Sequence, residues 1–360
     1  MFGAWKYKWL TPRAIVGKLR LIELNTLRDM TKFNVHQMFL ILKNTEYEPE
    51  ISTTPSEKVT PEFLENALLR NYVRIIEEFM RGSPTEISSL LFAFVSKLHF
   101  ANIKTLIRLK YSIMTSEAVL NQIIETPHSN TNTYRQVFED SSSISDVLKL
   151  LKKEDCISAL KDPIEKFEET GFLFPIEMVL DKCFYTDLWQ TTTILKGTDK
   201  KIAKRIIGFE IDSVNIRVIL RLKAMEVPSE SILKYTMPLT DTFCFDALKR
   251  ACNALNVGSS IETLLTIVKN SYDRDRTLIL NALLNEYSLS QSLSNLETIL
   301  DKHLLQISVR VFRKQPFFSL GWVLGYLNLK WFEVKNLRTI VRGIDEGIPP
   351  NKIYSLLILP

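Results

Sequence analysis

Asn336-Leu337-Arg338-Thr339-Ile340-Val341-Arg342 lies inside the closing run 317–358, FFSLGWVLGYLNLKWFEVKNLRTIVRGIDEGIPPNKIYSLLI, and is followed seven residues after its last arginine by Pro349-Pro350-Asn351. The middle of the chain carries Asn215-Ile216-Arg217-Val218-Ile219-Leu220-Arg221, with Pro228-Ser229-Glu230 at the same offset. Near the front stands a third copy, Asn102-Ile103-Lys104-Thr105-Leu106-Ile107-Arg108, then Thr115-Ser116-Glu117. One pattern is written three times.

A second element repeats with it. Glu65-Asn66-Ala67-Leu68-Leu69-Arg70, Glu177-Met178-Val179-Leu180-Asp181-Lys182 and Glu297-Thr298-Ile299-Leu300-Asp301-Lys302 precede the three copies. From glutamate to asparagine the separations are 37, 38 and 39 residues. Two elements at nearly constant separation indicate a supersecondary unit, here a helix, a connection and a second helix. The asparagines are 113 and 121 residues apart, too far for solenoid repeats and about the usual length of a domain. Three units of one fold follow, over 1–126, 127–237 and 238–360.

Asparagine is a poor helix-interior residue. Its return at one place in three units suggests a tertiary duty for Asn102, Asn215 and Asn336, such as bonding backbone of an adjoining segment. The alternative is a ligand contact. Lys104/Arg108, Arg217/Arg221 and Arg338/Arg342 are i,i+4 pairs, so each lies on one helix face and favours an acidic neighbour. The simpler expectation is pairing with the unit's own Glu65, Glu177 or Glu297, or a solvated face. The sharper one is a threefold ring of positive charge facing a partner.

Outside the repeat the chain reads as helix almost throughout. Leu, Ile, Lys and Glu dominate, glycine numbers only 11 in 360 residues, and hairpin dipeptides are missing, so the fold class is all-α. Residues 13–43 read as one or two helices, and Thr60-Pro61-Glu62 as a helix start running to about Met80. The stretches 46–61 and 125–145 read as loops, the second the more mobile. Gly321 and Gly325 suggest close helix packing, and Gly347 with Pro349 a helix stop. The aromatics from Phe317 to Phe332 read as core. The net charge of +5 is too mild for a nucleic-acid stripe. Cys156, Cys183, Cys244 and Cys252 form no C-x-x-C pair and read as reduced, buried thiols. The front, MFGAWKYKWLTPR, lacks the apolar run of a signal peptide, and no window is expected to reach the roughly 20 apolar residues of a membrane span.

No phosphate-binding, dinucleotide-binding or nucleophile-elbow motif is present. His36, His99, His128 and His303 are scattered, without zinc-ligand spacing. No cofactor, metal or catalytic residue is therefore expected. An enzyme built from scattered carboxylates and an all-helical adaptor or scaffold remain the competing readings.

VLGYLNLKWFEVKNLRTIVRGIDEGIPPNKI resembles the closing signature of the C subunit of archaeal-type (A/V-type) rotary ATP synthases, equivalent to the d subunit of the vacuolar ATPase. EIDSVNIRVILRLKAMEVPSESI is similar to that family's middle signature, and AIVGKLRLIELNTLRDM with ILKNTEYEPEI is a weaker match to its opening. One departure is His99, where the second copy has Asp212 and the third Glu333. The resemblance implies a funnel of three similar helical domains with pseudo-threefold symmetry and no nucleotide site. It implies a non-catalytic rotor subunit of the central stalk, one copy per complex, peripheral at the cytoplasmic face of the cell membrane. Its partners would be the D- and F-type shaft subunits and the membrane proteolipid ring, with ion (by expectation proton) transport coupled to ATP chemistry.

Overall fold

The computed structural model describes residues 5–52, 54–111, 122–151, 153–240, 242–271, 273–314 and 317–359. The Thr115-Ser116-Glu117 end of the first repeat lies outside them. Among the described residues there is no β-strand, only an isolated bridge between Thr126 and Ser129. The chain is all-α, as its periodicity indicates.

The helices, in chain order, are α1 Leu10–Leu19, α2 Leu24–Met30, α3 Val35–Leu42, α4 Glu48–Ile51, α5 Pro61–Arg81, α6 Thr85–Tyr111, α7 Thr131–Asp140, α8 Ile144–Val147, α9 Glu154–Ala159 and α10 Lys161–Thr170. There follow α11 Phe174–Ile194, α12 Gly197–Ala224, α13 Ser229–Tyr235, α14 Phe245–Asn253, α15 Val257–Asn270, α16 Arg274–Ser290, α17 Leu293–Lys314, α18 Leu320–Asp345 and α19 Pro350–Ser355. The start at Thr60 is as read, its hydroxyl accepting from the Phe63 amide at 3.1 Å with Pro61 at the first helical position.

Three local readings change. Residues 13–43 form three helices rather than one or two, because Asn34 and Gln37 build a reciprocal capping box that starts α3 afresh. The stretch 46–61 contains α4 and a 3-10 turn at Ser56–Lys58, anchored by Tyr47 and Ile51, which are buried. The stretch 125–145 is not a loop. Asn130 caps α7 by accepting from the Thr133 amide, and Tyr134 and Phe138, one turn apart, are buried. Ser143 and Asp146 cap α8 in the same reciprocal manner. The polar residues that suggest a loop are helix caps.

Two compact units divide the chain, Met1–Leu180 with Val311–Leu359, and Asp181–Arg310. In the first, α18 packs against α5 and α1, and α5 against α6. In the second, α15 packs against α14 and α16, and α12 against α13 and α15. α12 is buried at every position from Ile206 to Ser213, and α18 at every position from Val323 to Lys330. These are central helices, without the single wet face of an amphipathic one. α6 corrects one expectation, since over Thr85–Lys110 it is long and apolar enough to cross a membrane. Its most apolar window is 72% buried inside the protein, as befits a core helix.

The long repeat helices α12 and α18 end alike. The Ile348 amide reaches back to Gly343 O at 2.7 Å and the Gly347 amide to Ile344 O at 3.1 Å, with Gly347 at φ +66. The Val227 amide reaches Leu222 O at 3.0 Å and the Glu226 amide Lys223 O at 3.0 Å, with Glu226 at φ +57. Both are Schellman stops, and Glu226 occupies a left-handed position that costs a side-chain-bearing residue about 1–2 kcal/mol. Glu226→Gly is expected to raise the unfolding free energy by about 1 kcal/mol, read as a higher urea midpoint at unchanged slope.

Two further expectations are corrected. Cys156 and Cys183 are disulfide-bonded and not free thiols; Cys244 and Cys252 are free, and Cys244 is exposed rather than buried. Phe317 and Phe318 are not core residues, being 52% and 44% exposed, whereas Tyr326 and Phe332 are buried.

Candidate functional site

Each repeated asparagine makes the same contact. Asn102 donates from its amide nitrogen to Ile124 O at 2.6 Å and accepts from the Ile124 amide at 3.2 Å. Asn215 does so with Met237 at 2.8 and 2.7 Å, and Asn336 with Ile358 at 2.9 and 2.8 Å. The separation is 22 residues in all three. A side-chain amide here takes the place of a backbone peptide, satisfying both polar groups of a residue that returns along its own helix. The three asparagines are 0–4% exposed, so each clasp works in a dry environment where an unmet polar group is costly.

The basic pairs are brought to the repeated glutamates in an order the sequence does not suggest. Arg108 of the first repeat meets Glu177, the glutamate of the second, at 2.6 Å. Arg221 of the second makes a bidentate pair with Glu297 of the third at 2.5 and 2.7 Å, and Arg217 pairs with Asp301, one turn on. Arg342 of the third makes a bidentate pair with Glu65 of the first at 2.6 and 2.8 Å, joined by Arg338 at 2.9 Å. Lys104 stands one turn before Arg108 on α6. Pairing with the unit's own carboxylate is therefore wrong for these residues. The order is first to second, second to third and third to first. Position 69, the counterpart of Asp181 and Asp301, is leucine, so Glu65 serves both arginines. Arg342 carries a raised pKa, chiefly through its hydrogen bonds to Glu65. These pairs are half-open to solvent, and each contributes geometry more than energy.

One turn before each asparagine sits a buried polar residue. Glu333 accepts from the Tyr47 hydroxyl at 2.8 Å, from Lys330 at 2.8 Å and from the Ile22 amide at 2.5 Å. Lys330 is fully buried, with its ammonium 3.9 Å from the Tyr47 ring centre. Burial first, and Glu333 second, push the Tyr47 phenol well above its ordinary range. Asp212 accepts from Thr240 at 2.6 Å and Arg276 at 2.6 Å. His99 bonds the Tyr134 hydroxyl at 2.6 Å and stacks on His128 at 4.8 Å. Position 99 thus meets imidazole and phenol where its counterparts, Asp212 and Glu333, meet cations.

Asp275 sits between Arg205 and Arg310, the latter at 2.7 Å. Burial raises its pKa, but the two guanidiniums outweigh that and hold it below the usual range. A lowered folded-state pKa adds stability that is present above the ordinary aspartate value of about 4 and lost as pH falls through the folded value. Asp275→Asn is expected to weaken the protein at neutral pH and to approach the parent's stability as pH falls into the acid range. Urea unfolding at stepped pH from about 6 to 2 measures the difference.

Among the described residues, no group of three or more His, Cys, Asp or Glu is placed to hold a metal ion. The arrangement is one of asparagine clasps within each repeat and ion pairs from one repeat's arginines to another's glutamate. Residues 11–356 match the ATP synthase (C/AC39) subunit family. The chain belongs to that family. It is 26% identical to the C subunit of the A-type ATP synthase of Methanocaldococcus jannaschii over 90% of this chain and 79% of that protein. To the same subunit from Methanothermobacter thermautotrophicus it is 27% identical over 96% and 85%, and to that from Haloferax volcanii 24% over 92% and 91%.

Within this C/AC39 chain, the residues that sequence reasoning missed are Tyr47, Lys330 and Arg276. Each partners a buried acid from far along the chain or from the preceding turn. Lys330 carried the one available signal, a lysine three residues before Glu333 in an otherwise apolar stretch.

Proposed function

We propose that this C/AC39 protein is the non-catalytic rotor subunit of the central stalk in an A-type ATP synthase. In this reading it links the soluble shaft, of D- and F-type subunits, to the membrane proteolipid ring. It stands as one copy per complex at the cytoplasmic face and passes torque between ATP chemistry and ion, by expectation proton, movement. Three helical repeats, 1–126, 127–237 and 238–360, form a pseudo-threefold funnel. Family membership supports the assignment to the synthase. The observation that carries the coupling role is the order of the ion pairs, in which the third repeat returns to the first through Arg342, Arg338 and Glu65. A coupler between a shaft and a ring has to resist twisting, and repeats that each hold the next, with close-packed helices between, supply that stiffness.

Affinity purification of the tagged full chain from native membranes, with stoichiometry by mass spectrometry, tests the proposal. Shaft proteins and proteolipid are expected, with the chain equimolar to the shaft. Recovery of neither overturns the rotor assignment in favour of an adaptor outside the machine.

A further inference from the structure

The ends of the first unit differ in chemistry. α5 and α18 run antiparallel, since Glu65 meets Arg338 and Arg342, Tyr72 lies tilted against Trp331, and Phe79 lies against Tyr326. The turn after α5 and the residues that lead into α18 therefore share one end. That end gathers exposed aromatics: Trp5 at 71%, Trp9 at 44%, and Phe317 and Phe318. Beside the α5–α6 turn the two tryptophans border a cleft of about 630 Å³ lined by Trp5, Lys6, Lys8, Trp9, Arg81 and Gly82, with no carboxylate on its wall. The Lys8 ammonium lies 4.8 Å from the Trp5 ring centre and the Arg13 guanidinium 4.9 Å from that of Trp9. Gly82 permits this, because a Cβ there would lie 2.4 Å from the Trp9 ring.

We infer that this end docks on the headgroup layer of an anionic phospholipid membrane. Indole rings with one apolar body and one polar edge settle at the boundary between headgroup and acyl chain. Cations with long apolar stems reach from there to phosphate, and near an anionic surface each Lys or Arg adds attraction that salt screens. A cleft with cations on its walls, no carboxylate and tryptophan at its rim matches a phosphate-bearing surface in charge and in polarity. A protein groove of the same polarity would have to supply acidic side chains instead. The inference stands on the patch alone and does not require the rotor assignment.

The full chain is expected to float with phosphatidylglycerol-containing vesicles and not with phosphatidylcholine vesicles, with binding lost as salt rises. Brominated phosphatidylglycerol should quench its tryptophan fluorescence, since Trp5 and Trp9 are the exposed indoles among the described residues. Trp5→Ser with Lys8→Glu, both on exposed side chains that leave the core intact, should cut vesicle binding at least tenfold with an unchanged circular dichroism spectrum. Equal binding to both vesicle types, no binding to either, or a double variant that binds as the parent does would each overturn the inference. So would a variant that keeps vesicle binding but fails to co-purify with proteolipid, which assigns the patch to a protein partner. Co-purification with the shaft is read separately, so the two proposals fail independently.

Discussion

Asn215→Leu is expected to destabilise the protein by about 2–3 kcal/mol, among the larger single-residue effects in the chain. The substitution removes two hydrogen bonds of 2.8 and 2.7 Å and leaves the Met237 amide buried without a partner, while the Met237 carbonyl keeps only the Leu239 amide at 2.8 Å. The orphaned amide costs roughly 1–3 kcal/mol and the weakened carbonyl adds to it, and the added apolar surface of leucine offsets only part of that. Asn215→Asp is the sharper probe. It keeps an acceptor for the Met237 amide but sets an oxygen against the carbonyl, so it should be nearly as damaging despite its similar shape. Urea unfolding followed by circular dichroism measures both. A loss below about 1 kcal/mol for Asn215→Leu would show that the clasp is incidental. Asn102 and Asn336 should behave alike, because their contacts are the same at the same separation.

The second large effect is at Glu333. Removing its carboxylate (Glu333→Ala) leaves Lys330, which is fully buried, with only the more distant Glu46 carboxylate at 3.6 Å, and takes acceptors from the Tyr47 hydroxyl and the Ile22 amide. Breaking a buried pair in this way costs about 3–5 kcal/mol. The double variant Lys330→Met with Glu333→Leu should recover much of it, since two apolar residues of similar size need no partner. Thermal unfolding of the single and double variants decides the matter. A double variant no better than the single would place the cost in packing rather than in the stranded charge.

The helices were legible in the sequence wherever an apolar stripe recurs over several turns, as from Leu64 to Phe79. They were illegible where short elements depend on caps: Asn130 and Ser143 read as loop residues, and only their bonds to the Thr133 and Asp146 amides show that they begin helices. The asparagine clasp was half legible. A side chain that serves backbone could be inferred from the repeat, but its partner, 22 residues on, carries no motif, because a backbone group looks the same in every residue. The ion-pair order was not legible at all. Glu65, Glu177 and Glu297 each precede a basic pair in their own repeat, and that reading order suggests pairing within the unit. Only the fold brings each glutamate to the arginines of the repeat before it. The buried acids were masked for another reason, since Asp212 and Glu333 sit in sequence that amphipathic surface helices also use.

The bond from Arg342 and Arg338 to Glu65 has a consequence for fraying. Linear repeat arrays have terminal members whose outer faces need capping and from which they fray. Here Arg338 and Arg342, near the end of α18, hold Glu65 near the start of α5, so these two helices brace each other and neither is left as a fraying outer face.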